Sequence, residues 1–165
     1  MDKVENVTFQ RSAQSLSEKD IIEFENSLNI RLPESFIEHY KMYNGGFPNA
    51  NWSEGEKLIC PLFYFFSIKY GDDTIEKRTQ DLQLKGMLPF AINKIMRYFC
   101  IGTDKNNYGQ IFYVEETAKN GYEIELHCED FQAFLSSLYT DKFYGKVFQP
   151  KLGWIDDFDA YTKNR

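Results

Sequence analysis

Apolar side chains recur at helical spacing in the first third of the chain and at every second position later on. Ile21, Phe24 and Leu28 form one face of a first helix, with Glu23, Glu25 and Asn26 largely outside it. Ser17 suits its N-cap, Asp20 places a carboxylate in the first turn, and Leu16 with Ile21 fits a hydrophobic staple. A second helix is predicted between Leu32-Pro33 and Asn44-Gly45-Gly46, with Phe36, Ile37, Tyr40 and Tyr43 at helical spacing. Proline suits the first helical position, and glycine the left-handed turn just past the end. Residues 47–57, FPNANWSEGEK, read as a loop. Leu58 to Ile68 reads as strand, broken near Pro61. Asp72 to Lys85 reads as a third helix with Ile75, Thr79 and Leu82 on one side, stopped by Gly86.

From Ile95 the period changes to two. RYFCIG, GQIFYV and YEIELHC predict three strands joined by an Asn- and Gly-rich turn and by Asn120-Gly121, a strong hairpin signal. Tyr122, Ile124 and Leu126 alternate with Glu123, Glu125 and His127, so the first set is expected in the core and the second in water. Glu129-Asp130 opens a fourth helix with Phe131, Phe134, Leu135 and Leu138 inward. Residues 1–14 predict a polar arm or an edge strand around Val4–Phe9. In the tail, Phe143, Tyr144, Val147 and Phe148 suggest a short packed segment before the aromatic and acidic end WIDDFDAYTKNR. Helices and strands in separate runs predict an α+β fold with a largely antiparallel sheet and about four helices.

The 165 residues suit one domain with a proper core. Aromatic residues make up 17%, which implies a dense core or an aromatic contact face; a Phe-rich core accounts for most of them. The net charge of −6 argues against a general nucleic-acid surface; it would speed encounter with a basic partner, although such a charge most often only confers solubility. Cys60, Cys100 and Cys128 are odd in number and widely spaced, so reduced, buried thiols are expected, with neither disulfide nor zinc. The opening MDKVENVTFQRSAQ has no apolar signal segment, and the apolar run at Pro61–Phe66 is too short to span a bilayer. The expected location is the cytoplasm, with no membrane partner.

Candidate chemistry is thin. Asp104 to Glu115 matches several positions of an EF-hand loop, but Tyr108 replaces an oxygen ligand and the flanks read as strand, so a hairpin turn explains the same residues. His39 lacks a metal-binding partner one helical turn away. His127 and Cys128 are adjacent, yet adjacent strand residues point to opposite faces, which argues against a nucleophile pair. Asp72-Asp73, Glu115-Glu116 and Asp156-Asp157-Asp159 read as solvated acids. The expectation is therefore a non-enzyme without metal or cofactor. Trp52 either tucks onto the core or anchors a partner. It is grouped here with Asp156, Asp157 and Asp159 as the expected partner contact.

The stretch LSEKDIIEFENSLNIRLPESFIEHYKMYNGG resembles the N-terminal signature of the SUKH superfamily, which holds fungal cell-wall synthesis regulators and bacterial immunity proteins. The matching elements are Ile21, Phe24 and Glu25, then Leu32-Pro33-Glu34, then Asn44-Gly45-Gly46. LPFA at Leu88 to Ala91, YFCIGTDKNNYGQIFYV and DFQAFLSSL resemble later pieces, although Gly102-Thr103-Asp104 carries an insertion where the family has Gly-Asp. The resemblance covers residues 15–139, leaving 1–14 as an arm and 140–165 as an extension expected to pack on the domain. It implies an α+β domain without enzymatic activity that binds and neutralises a cognate toxin, often a nuclease. The alternative it implies is a scaffold module in cell-wall or stress regulation. Leu32, Pro33, Asn44, Gly45 and Gly46 are then structural markers of the family and carry no chemistry.

Overall fold

The computed structural model describes residues 2–140 and, for the backbone alone, 147–149 and 153–155. The first helix, α1 (Glu18–Leu28), starts as its sequence predicts. Asp20 N donates to Ser17 Oγ at 3.1 Å and Ser17 N donates to Asp20 Oδ2 at 3.0 Å, a reciprocal capping box. Leu16 and Ile21 are both buried beside it. Asn29 ends α1 in the left-handed conformation, and the buried Glu25 accepts from Leu32 N at 2.8 Å, so α1 directly fixes the entry to α2 (Glu34–Met42).

Pro33 sits one position earlier than predicted. It is the N-cap of α2, where its carbonyl accepts from Phe36 N and Ile37 N at 3.1 Å each. The glycines also differ from the prediction. Helix α2 closes at Met42 and Tyr43 is extended, so neither glycine is the helix cap. Gly45 and Gly46 have φ of 73° and 108°, and a Cβ at Gly45 would lie 2.8 Å from Ser67 N. One at Gly46 would lie 2.5 Å from Gln10 O. Both are therefore glycine because the chain is threaded between two other backbone segments. Asn44, only 2% exposed, completes this seam: its side-chain amide donates to Gln14 O at 2.8 Å and Ile68 O at 2.9 Å and accepts from Ile68 N at 2.7 Å.

The first strands are β1 (Asp2–Lys3), β2 (Phe9–Gln10), β3 (Phe47–Pro48), β4 (Trp52–Glu54), β5 (Ile59–Pro61) and β6 (Tyr64–Phe65). After α3 (Ile75–Leu82) come β7 (Met87–Ile92), β8 (Tyr98–Gly102), β9 (Ile111–Glu116) and β10 (Tyr122–Cys128). Then follow α4 (Phe131–Ser136), β11 (Leu138–Thr140), β12 (Val147–Gln149) and β13 (Gly153–Ile155). Five strands form an antiparallel sheet in the order β10-β9-β8-β7-β6, four form a second in the order β1-β11-β4-β5, and β2 pairs with β3. Strands β12 and β13 pair with each other. Phe143, Tyr144 and the packing of the 140–165 extension lie outside the described residues beyond Thr140. The α+β architecture is the one the alternation of patterns predicts.

Several expectations are corrected locally. Residues 47–57 are not a plain loop, because β4 is drawn into the second sheet by pairing with β11 and β5. Leu138 leaves helix α4 and enters β11, fully buried. Helix α3 is shorter than Asp72–Lys85; Thr74 caps it and Gln83 ends it in the left-handed conformation. Asp73 is held out of the helix by Arg78 and Tyr64.

The aromatic excess is core. Phe90 is central: its ring meets Phe36, Phe65, Phe131 and Phe134 at centroid distances of 5.4–5.8 Å, mostly edge-to-face. Phe36 and Tyr40 of α2 stack on this cluster, and the Tyr40 hydroxyl is satisfied there by donating to Phe66 O at 2.8 Å. Substituting Gly46 by alanine should cost more than about 2 kcal/mol, because a strained φ and a backbone clash act together. Gly121→Ala, with negative φ and only Thr117 Oγ1 at 3.2 Å, should cost far less. Urea unfolding of the two variants checks this; equal midpoints would contradict it.

Candidate functional site

Of the predicted contact residues, Trp52 is the one among the described residues. Trp52 lies on β4 and is 6% exposed, so it offers no open ring to a partner; the core reading of this residue replaces the anchor reading. The reason is the β4–β11 pairing, which a local reading of a polar segment does not reveal. Asp156, Asp157 and Asp159 lie outside the described residues. Leu32, Pro33, Asn44, Gly45 and Gly46 act as described above, as parts of the scaffold.

The exposure predicted along β10 fails at two positions. Ile124 is 49% exposed, whereas His127 is 2% exposed. The register with β9 slips between Leu126 and Cys128, so His127 is the extra residue of a β-bulge, and its ring lies against Phe99 and Tyr113 at centroid distances of 5.3 and 6.1 Å. There it meets residues from distant segments. His127 Nε2 lies 2.7 Å from Ser53 Oγ, Ser53 Oγ lies 2.7 Å from Ser137 Oγ, and Cys60 Sγ lies 3.9 Å from His127 Nδ1. Ser137 donates onward to the Phe134 carbonyl. Proton bookkeeping then orients the whole chain. Ser137 spends its hydrogen on Phe134, so it accepts from Ser53, which accepts from His127 Nε2–H and leaves Nδ1 to face the thiol.

This arrangement puts a thiol, an imidazole and two hydroxyls together, yet its chemistry is that of a buried structural network. Imidazole donates to Ser53 and so is not placed as its base. Burial pushes the His127 pKa down to about 4 and the Cys128 thiol up to about 11. Cys60, Ser53 and His127 are all buried, and a Cβ at Gly55 would fall 2.2 Å from His127 Nδ1, so the β4–β5 turn lies directly on the ring. Sequence reasoning missed the partners of His127 because Ser53 and Cys60 are far away in the chain and no local spacing signals them.

His39 is likewise a packing residue. Its ring sits among Phe9, Tyr43, Phe65 and Phe131, and burial lowers its pKa to about 4. The calcium-like loop is a hairpin turn: Asn107 accepts from Asp104 N and donates to Gly86 O, both at 2.9 Å. Glu115, which would be its last ligand, is instead on β9 and pairs with Arg97 at 2.7 Å. Among the described residues no group of three or more His, Cys, Asp or Glu side chains gathers as a metal set. No helix among them is long and apolar enough to cross a membrane. All three cysteines are buried.

Acidic and apolar side chains are among the exposed positions. Glu56 and Glu129, from the β4–β5 turn and the end of β10, face each other as exposed carboxylates, and the hydrogen bond to Glu129 raises the Glu56 pKa. Ile22, Met42, Ile95, Met96 and Ile124 are exposed apolar positions. The profile of the SMI1/KNR4 family (SUKH-1) matches residues 15–137. The chain belongs to this family. Membership supports a protein-interaction role, of the immunity kind or of the SMI1/KNR4 kind, and the family is generally non-catalytic. No curated protein and no solved structure matches the chain.

The two histidines set a pH dependence. Their folded pKa values near 4 lie below the ordinary value of 6.5, so the unfolded chain binds more protons between these limits. Stability is therefore full above pH 6.5 and falls as pH drops towards 4, by about 3 kcal/mol per histidine at most. Because His39 Nε2 is buried without a hydrogen-bond partner, His39→Phe should retain stability at pH 7 and remove about half of this slope. Urea midpoints from pH 7 to 4.5 check it; an unchanged slope in the variant would contradict it.

Proposed function

We propose that this chain is an immunity protein of the cytoplasm. It binds a cognate protein toxin with a basic active face, a nuclease in the first instance, and neutralises it by covering that face. The observation that carries the reading is the family match over residues 15–137. Two features support it. Net charge is −6, and the exposed Glu56–Glu129 pair holds like charges together, which a lysine or arginine from a partner would relieve. The candidate nucleophiles Cys60 and Ser53 are sealed inside, in keeping with inhibition by binding and not by turnover. Asp156, Asp157 and Asp159 remain in the proposed contact as further acids. Trp52 does not.

Such a contact gains speed from long-range attraction, so its association rate should fall steeply with salt. Co-expression with a toxin encoded beside the gene tests the function itself. Cells should survive when the protein matches the toxin level, and death at matched levels would overturn the reading in favour of a regulatory scaffold. Alanine at Asp156, Asp157 and Asp159 should slow association with the toxin several-fold at low salt. Unchanged rates would remove the tail from the contact.

A further inference from the structure

Strand β10 is the open edge of the five-stranded sheet. The opposite edge is closed, since β6 exchanges backbone hydrogen bonds with the chain at Gly46, at 3.0 and 2.9 Å. Among the described residues β10 pairs with β9 alone. Its free length is bounded at one end by the turn, where Thr117 N donates to Gly121 O at 2.9 Å, and at the other by Glu56 N donating to His127 O at 2.9 Å.

The register fixes which groups face out. Thr117 and Gly121 are a hydrogen-bonded pair, and alternation along the ladder makes Glu115–Glu123 and Tyr113–Glu125 the next ones. Tyr122, Ile124 and Leu126 therefore direct their N–H and C=O groups away from β9. These residues span about 14 Å of strand. Ile124 stands 49% exposed at the centre of this edge, and Glu123 and Glu125 flank it on the other face. Glu115 lies directly across from Glu123, and Glu116 follows it on β9.

Charge selects the occupant. A second copy pairing antiparallel about Ile124 would set Glu123 against Glu125, and like charges directly opposite are destabilising. The nearby cations are few: Lys57 lies 3.9 Å from Glu125, and Arg97 is engaged with Glu115. We propose that β10 takes up an extended, lysine- or arginine-bearing strand of a partner protein. The backbones of Tyr122, Ile124 and Leu126 complete the ladder, Glu123 and Glu125 meet the cations, and Ile124 packs against an apolar residue of the incoming strand. The proposal rests on the toxin-binding reading and names the strand that meets the toxin.

The test uses the full chain labelled for NMR and an acetylated peptide, Lys-Val-Lys-Val-Lys-Val-Lys. With saturating peptide, amide exchange at Tyr122, Ile124 and Leu126 should slow by about tenfold or more, and less so at high salt. Ile124→Pro removes an outward N–H and the exposed isoleucine side chain but no bond to β9, so the amides of Glu123 and Glu125 should keep their protection while Tyr122 and Leu126 lose their response to peptide. Glu123→Gln with Glu125→Gln should weaken peptide binding and flatten its salt dependence. Equal protection by the Glu-Val counterpart, a response confined to other strands, or edge protection that grows with protein concentration without peptide would each overturn the proposal. If Ile124→Pro still neutralises the toxin in cells, the edge assignment falls and the toxin reading stands. If the wild-type protein fails in cells while the peptide protects the edge, the toxin reading alone falls.

Discussion

One buried side chain holds the fold's halves together. Asn44 uses its amide on Gln14 and Ile68, and its own carbonyl accepts from Ala13 N at 2.9 Å. Each backbone group it satisfies would otherwise be a buried, unpaired dipole costing about 1–3 kcal/mol. The two glycines that follow let the chain pass where no side chain fits. Helix α2, the N-terminal arm and the start of the α3 segment are thus tied at a single seam, and Phe36 and Tyr40 are delivered to the aromatic core from it. A charged clasp reinforces the same region: Lys69 Nζ donates to Asp20 Oδ1 at 2.6 Å and, with the Ser17 cap, holds the Asp20 carboxyl down to about 2. The family signature is a record of this construction.

That construction explains why the conspicuous residues are not the working ones. Reactive groups fell inside because the sheets needed satisfied polar contacts between them. Ser53, His127 and Ser137 join β4, β10 and the end of α4 through one relay. A polar network with every member paired stiffens a core and gives it a unique arrangement. Function in such a molecule moves to edges, turns and charge, where contacts can change without disturbing the seam.

The helices were legible in the sequence because their determinants are local. The Ser17–Asp20 box caps where its spacing predicts, and Asp130, in the pair expected to open the fourth helix, caps it by accepting from Ala133 N at 2.7 Å. Strands β8 to β10 were legible from their period and turns. What escaped local reading is non-local: β4 becomes a strand only because β11 and β5 lie beside it, which is also why Trp52 is buried. The exposures of Ile124 and His127 escaped it too: Ile124 lies on an edge strand in unbroken register with Val114, and His127 is covered by the β4–β5 turn. The family resemblance was readable from the helix pair. The open edge required the register, and no spacing of residues reports which strand ends a sheet.

Binding without chemistry is the central claim, and inhibition stoichiometry tests it most directly. Toxin encoded beside the gene would be held at fixed concentration and its residual activity followed as this protein is added. A binding inhibitor gives a linear fall to zero at one equivalent, the same after short and long incubation. Continued loss of toxin activity at a small fraction of an equivalent, growing with time, would mean turnover and would contradict the account.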